Sequence, residues 1–467
     1  MHSLFSNQQT SRRRFLADCG KMTGIGAMSS LLSLKMTNQL FAQRTVGSIT
    51  DYKGLVCIYL YGGNDSFNML TPGVDGYTDY LSTRGVLGIP LTDAHQILDG
   101  TQDYHLSNSL AGVKGLFDAG DLSFVTNVGT LVEPTTLTQY FNGTTRLPYG
   151  QFSHSDQIEQ WQTSISDSNA GEFAGTGWGG RMLDILNDAA NNNATISVSL
   201  SPYGANTTQI GALTSPFNTK GGVNSLDLYK TDSLVKGAYD ATLEHQYQSV
   251  LQSHHNYIRE DALAQSEALE EIEQTTEITT VFPDSSLGKQ LLQVAKYIKA
   301  QGEGRLSANR QSFFVGQTGY DTHGGGITAH NTLMTILNDA LVAFNAAMVE
   351  IGFHDRVVSY TASDFGRSLT ANNVGSDHGW GGNQIVMGGP VNGGKVFGEY
   401  PELALSTLTD VGRGRQLPTT SVDEFHASLA TWFGIQNDSE MEAIIPNIRN
   451  FWSAGTAGYP ITDLFIA

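Results

Sequence analysis

Residues 54–65 read Gly54-Leu55-Val56-Cys57-Ile58-Tyr59-Leu60-Tyr61 followed by Gly62-Gly63-Asn64-Asp65. An uninterrupted apolar run leaves no side for water, so it is expected as a strand covered on both faces, as in a parallel sheet between helices. The Gly-Gly-Asn-Asp turn ends the strand and sets Asp65 just beyond its carboxyl end.

The same grammar recurs outward from this run. Residues 106–119 carry Leu110, Val113, Leu116 and Phe117 at helical spacing, and 121–128 form a second apolar run. Nearer the C-terminus, helices are expected over 287–300 and 329–350, with strands over 312–315, 357–361 and 384–387. Between these halves, 187–222 is rich in Asn, Thr, Ser and Gly, and 234–273 is amphipathic and charged. The expected fold is therefore a three-layer α/β domain, a mostly parallel central sheet with helices on both faces. It should carry an inserted loop and helical segment at about 187–280.

Composition narrows the function classes. With 467 residues and 18 Tyr, 21 Phe and 5 Trp, the chain is neither a small disulfide scaffold nor a disordered polymer. No 18-residue apolar run stands out as a membrane span. The 26 Lys+Arg against 45 Asp+Glu give a formal charge of −19, with no basic face to grip phosphates, so nucleic acid is not an expected partner.

The first residues read as an address. Ser11-Arg12-Arg13-Arg14-Phe15-Leu16 precedes an apolar run over 22–34 bracketed by Lys21 and Lys35, and Leu40-Phe41-Ala42 offers a small-residue cleavage site. This is the pattern of a twin-arginine signal over 1–42, which implies the twin-arginine translocase as export partner, a mature domain over 43–467 and no membrane anchor after cleavage. The expected location is periplasmic or secreted. Removal of 1–42 takes away five basic residues and one acidic residue and moves the formal charge to −23. Cys19 leaves with the signal, so Cys57 has no intramolecular partner for a disulfide.

In open parallel sheets, ligands bind beyond the carboxyl ends of the strands. The residues there are Asp65 after the first strand, Asp321 and His323 in Gly319-Tyr320-Asp321-Thr322-His323-Gly324, Asp364 in Ser363-Asp364-Phe365-Gly366-Arg367, and Asp377 with His378 in Ser376-Asp377-His378-Gly379. Carboxylates and imidazoles together are the ligand set of a divalent metal, zinc first, with manganese or calcium compatible. Taken singly, Asp65 reads equally well as a helix N-cap, Asp321 and His323 as loop residues bonding nearby backbone, and Asp377 as a carboxylate orienting His378. The sequence contains no Gly-x-Ser-x-Gly, His-Glu-x-x-His, Walker or Cys-x-x-Cys motif.

At these residues the chain resembles a bacterial family of twin-arginine-exported proteins known as domain of unknown function fifteen-oh-one, placed in the alkaline phosphatase and sulfatase superfamily. The stretches that carry the resemblance are 55–72 (LVCIYLYGGNDSFNMLTP), 104–128 (YHLSNSLAGVKGLFDAGDLSFVTNV), 152–162 (FSHSDQIEQWQ), 176–181 (TGWGGR), 319–324 (GYDTHG), 363–367 (SDFGR), 376–379 (SDHG) and 388–401 (GGPVNGGKVFGEYP). The resemblance implies an alkaline-phosphatase-like sheet and a two-metal site, with Asp65 and Asp364 on one metal and Asp321, His323 and His378 on the other. Asp377 becomes a ligand or a partner of His378. Ser153 is implied as nucleophile, with His154 as ligand or general acid. The implied activity is hydrolysis of small anionic phosphate or sulfate esters; the alternative is a non-catalytic metal-binding or interaction protein of the cell envelope. The chain lacks the Cys-x-Pro-Ser-Arg motif of formylglycine sulfatases and the Asp-Ser-Ala motif of alkaline phosphatases.

Overall fold

The opening run folds as β1 (Lys53–Tyr61), with every residue from Gly54 to Tyr61 buried. In the computed structural model the described residues are 49–167, 176–186, 195–200, 229, 232–243, 252, 256, 263, 267–452 and 461–466. The export segment over 1–42 and most of 187–228 lie outside them.

Following β1 come β2 (Leu70–Pro72), β3 (Ala94–Asp99), β4 (Gln102–Ser107), β5 (Leu122–Gly129), β6 (Thr195–Ser199), β7 (Arg310–Thr318) and β8 (Val357–Ser363). Then follow β9 (Arg367–Ala371), β10 (Ser376–His378), β11 (Gly382–Met387), β12 (Val396–Phe397) and β13 (Thr420–Ser421). The main sheet runs β12-β5-β11-β8-β1-β7-β6, with β13 also on β5. β1 pairs in parallel with β7 and β8, and β7 pairs in parallel with β6. β11 is antiparallel to both its neighbours, β8 and β5. The sheet is thus mixed and mostly parallel, as an α/β fold requires.

The longer helices are α1 (Val74–Arg84), α2 (Ala111–Ala119), α3 (His154–Thr163), α4 (Trp178–Leu186), α5 (Ser233–Leu243), α6 (Ser286–Gly302), α7 (Gly326–Glu350) and α8 (Val422–Phe433). Both sheet faces are covered, because successive β8 residues meet different helices. Tyr360 packs on Trp178 of α4 and Phe425 of α8, while Val357 and Ser359 line a small cavity with Phe344 and Met348 of α7. Helix α8 begins with a capping box between Ser421 and Glu424. Helix α5 belongs to a compact unit other than the one that holds the main sheet.

Three sequence expectations change. The helix expected over 106–119 starts only at Ala111, because residues 102–107 pair with β3 as an antiparallel strand. Within the inserted loop segment expected from about residue 187, β6 is an edge strand of the main sheet. By length and composition α7 is apolar enough to cross a membrane, contrary to the sequence reading, yet half of its most apolar window is buried within the fold.

Candidate metal centre

The ends of β1, β7 and β8 are level: Tyr61 pairs with Thr318, and Leu60 with Ser363. The turns that follow therefore emerge together. Gly62, with φ +115°, lets the chain turn where a Cβ would sit 2.3 Å from the Asp321 amide nitrogen. From β8 the chain makes the β9–β10 ribbon and re-enters the sheet as β11. Because β11 runs antiparallel, His378, which precedes it, still reaches the carboxyl edge of the parallel strands. At Gly375 a Cβ would lie 2.3 Å from the Thr322 carbonyl oxygen, so the ribbon closes against the Asp321 turn only as glycine.

Three imidazoles meet one carboxylate oxygen here. Asp321 Oδ1 lies 3.1 Å from His323 Nε2 and 3.5 Å from each of His154 Nε2 and His378 Nε2. His323 Nε2 and His378 Nε2 are 3.0 Å apart. A tetrahedral ion with bonds of about 2.0–2.2 Å holds its ligand atoms about 3.3–3.6 Å apart, so these spacings approximate the edges of such a site. His154, Asp321 and His378 together make a group able to hold a metal ion.

The tautomers support the same reading. His154 Nδ1 is 2.7 Å from Asp364 Oδ2, and His378 Nδ1 is 2.7 Å from the Phe152 carbonyl oxygen. Both oxygens only accept, so each Nδ1 carries the proton and each Nε2 a lone pair. His323 has a carboxylate oxygen at each ring nitrogen, Asp377 Oδ1 at 3.3 Å from Nδ1 and Asp321 Oδ1 at 3.1 Å from Nε2, so either nitrogen can carry its proton. His323 Nε2 and His378 Nε2 lie within hydrogen-bond distance, and the buried His154 Nε2 has no hydrogen-bond partner. The donor set therefore fits a divalent metal.

Electrostatics tune the cluster. Burial pushes the Asp321 carboxyl up, but the Arg367 guanidinium, with Nη1 at 3.0 Å from Oδ1, more than offsets this and holds it below the usual range. Arg367 is fully buried and also donates to the carbonyls of Gly62 and Ser376. The hydrogen bond His154 donates to Asp364 raises that histidine above its ordinary pKa, whereas burial lowers His378. A hydrogen bond from Asn372, together with Arg413, draws Asp377 down to about 2. Asp321 and His323 are about half exposed, at 48% and 45%, so the cluster opens to solvent on their side.

Not every candidate joins the cluster. His154, expected as ligand or general acid, converges with Asp321 and His378, and His323 lies beside the latter two. Asp364 orients His154 and also accepts from the Gly62 amide, while its buried Oδ1 lacks a partner. Asp377 sits beside His323, whereas the Nδ1 of His378 is taken by the Phe152 carbonyl. Asp65 is buried in an ion pair with Arg84, which also donates to the Ser368 and Leu369 carbonyls. Ser153 caps α3 without a side-chain cap bond, and its Oγ lies 3.2 Å from Ser155 Oγ. The sequence reading gave no role to Arg367, Arg413 or Arg415, or to Phe152, whose φ of +63° is unusual for an aromatic residue and accompanies the carbonyl bond to His378.

Residues 52–445 match the family described as "Protein of unknown function (DUF1501)". The chain belongs to the DUF1501 family. No curated protein matches it in sequence. Among solved structures it is similar to the PsFucS1 sulfatase from Pseudoalteromonas sp., at 10% identity and a TM-score of 0.35, with 86% of this chain and 71% of that one covered. It is also similar to the alkaline phosphatase PafA, at 11% identity and a TM-score of 0.31 over 69% and 64% of the two chains. The phosphonate monoester hydrolase of Agrobacterium radiobacter aligns at 9% identity and a TM-score of 0.33, covering 82% and 74%. In this DUF1501 chain, the motifs GYDTHG, SDFGR and SDHG each supply one side of the His/Asp cluster.

Proposed function

We propose that this DUF1501 chain is an exported, metal-dependent hydrolase of phosphate or sulfate esters, with zinc as the first candidate metal. The observation that carries the reading is the gathering of the His154, His323 and His378 Nε2 atoms at 3.5, 3.1 and 3.5 Å from Asp321 Oδ1 on the solvent-open edge of the sheet. A bound divalent ion supplies Lewis-acid stabilisation of the charge that develops on ester oxygens. The chain's own groups do the rest: Asp364, Asp377 and the Phe152 carbonyl fix the imidazoles, and Arg367 keeps Asp321 ionised. In hydrolysis a water oxygen bonds to phosphorus or sulfur, the ester oxygen's bond to that atom breaks, and the alcohol leaves with a proton. With its Nδ1 proton held by Asp364, His154 suits the role of ligand better than that of general acid. Ser153, one residue before it, is the candidate nucleophile of a two-step course in which its Oγ bonds to phosphorus or sulfur as the alcohol leaves and water then displaces it. One cluster of metal-type groups is found among the described residues, which supports a single centre over a pair.

A second reading, a non-catalytic metal-binding protein of the envelope, is favoured by one observation. His323, 3.1 Å from Asp321 and 3.0 Å from His378, stands where it can crowd the position that catalytic zinc keeps open beside His154, Asp321 and His378. The full chain, supplemented with zinc or manganese, should be analysed for bound metal and assayed on aryl phosphates, phosphodiesters and aryl sulfates beside His154→Ala, His378→Ala and His323→Ala. Turnover lost in the first two variants supports the hydrolase; bound metal without turnover of any ester supports the second reading, and absence of metal sinks both. Export is tested by replacing Arg12 and Arg13 with Lys, which should retain the chain in the cytoplasmic fraction; unchanged fractionation would contradict a twin-arginine signal.

A further inference from the structure

The turn over 405–416 brings two arginines to the rim of the metal centre. Asp410 organises it from inside: Oδ1 accepts from the amides of Gly412 and Gly414 at 2.7 and 2.8 Å, and Oδ2 from the Ser406 amide at 2.9 Å. The turn is docked on β9, whose Leu369 and Thr370 amides donate to the carbonyls of Gly414 and Arg413. Such a satisfied loop is rigid enough to aim its side chains.

Arg415 donates from Nε to the His378 carbonyl at 3.0 Å, and its guanidinium lies 4.9 Å from the centroid of the Phe152 ring. Both groups belong to the centre's own frame, since the Phe152 carbonyl accepts from His378 Nδ1. The guanidinium is thus fixed against two residues that frame the centre. Among the described residues, no carboxylate pairs with Arg415 and nothing takes its two terminal nitrogens. Arg413, held at φ +63°, places Nη1 at 2.5 Å from Asp377, the carboxylate beside His323. Its side chain is about half exposed, so the rest of its fork faces solvent. A guanidinium fixed by an aromatic face and one carbonyl, with its remaining donors free, is an oxyanion receptor.

We propose that Arg415, with Arg413 beside it, forms a subsite for a tetrahedral oxyanion at the rim of the centre, taking the non-bridging oxygens of a phosphate or sulfate group. The inference deepens the hydrolase reading by placing the anionic part of its ester, and it rests on that reading only for turnover. It also resolves a conflict of charge. A chain of formal charge −19 repels anions at long range, so capture needs a local positive field. Arg415, free of any counter-carboxylate, supplies that field from the protein itself.

Inorganic phosphate and inorganic sulfate titrated calorimetrically into the full zinc-supplemented chain test the subsite, with Arg415→Ala, Arg415→Lys and Arg413→Ala alongside. Arg415→Ala should weaken binding of the preferred anion roughly 10-fold or more, the scale of a lost charge-assisted hydrogen bond. Arg415→Lys should recover part of it by restoring charge without the fork, and Arg413→Ala should lose less than Arg415→Ala. Unchanged affinity in both alanine variants overturns the proposal, as does a wild-type chain that binds neither anion. Should Arg415→Ala fail to fold, Arg415→Lys and Arg413→Ala decide: full wild-type affinity in both overturns the subsite. Phosphate binding that depends on Arg415 without turnover of any ester sinks the hydrolase reading and leaves the subsite standing. Turnover with KM unchanged in Arg415→Ala does the reverse.

Discussion

Asp364 and Asp65 both follow central strands, and both are nearly inaccessible to solvent, yet their surroundings give them opposite work. Asp364 accepts from a proton-bearing imidazole nitrogen and so leaves the lone pair on the other nitrogen of His154, the one available to an ion. Asp364→Asn keeps the shape but weakens that orientation, so zinc affinity, measured by competition with a chromophoric chelator, should fall roughly 10–100-fold; unchanged affinity would contradict the assignment. Asp65 instead balances the buried Arg84. Asp65→Asn should cost about 3–5 kcal/mol in denaturant unfolding, the penalty for leaving one member of a buried pair uncompensated. Its effect on zinc affinity should be smaller than that of Asp364→Asn, and the reverse order would return Asp65 to the ligand set. The sequence places both aspartates beyond strands, but it holds no sign that Arg84, nineteen residues on in α1, would claim one of them.

At the scale of elements, helix α8 shows how a well-made start can carry a costly residue. Its capping box satisfies the first turn, while Asp423 in that turn is fully buried with neither carboxylate oxygen hydrogen-bonded. Burial first, and then the charge of Glu424, push its pKa well above the ordinary value against the pull of Arg181. Below the unfolded value near 3.8 both states hold the proton, so stability is unaffected. As pH rises past it, the unfolded chain releases a proton that the folded chain keeps, and stability is lost. Asp423→Asn should therefore be more stable than wild type at pH 8, on the order of 1–3 kcal/mol, with the gap closing toward pH 4 in thermal melts. A gap independent of pH would contradict this. The antiparallel course of β11 is the other decision made at this scale. Every residue of β11 is buried, as in the parallel strands, so local pattern marks the strand and not its direction. Direction follows from the short β9–β10 ribbon, which returns the chain to the sheet from the edge where β8 ended.

Across the whole molecule, the metal centre ties together α3, the turn after β7, the end of β8 and the β9–β10 ribbon, which are far apart in sequence. A chelator should therefore lower Tm and zinc should restore it, because an ion that binds the folded chain at about 100 times its Kd adds about 2.7 kcal/mol. A Tm indifferent to chelator and zinc would remove the centre from the stability of the fold. By itself the sequence determined the α/β class, the two-face burial of β1 and the edge where chemistry gathers, because apolar period and turn residues are local properties. It also singled out Asp321, His323 and His378 by type and by their glycine-flanked turns. Only the tertiary structure decided that His154 completes the cluster, that Asp364 and Asp377 orient imidazoles, that Asp65 belongs to Arg84, and that Arg415 stands free at the rim. Those outcomes depend on distances between residues up to hundreds of positions apart, which strand register and the packing of turns set and no local pattern encodes.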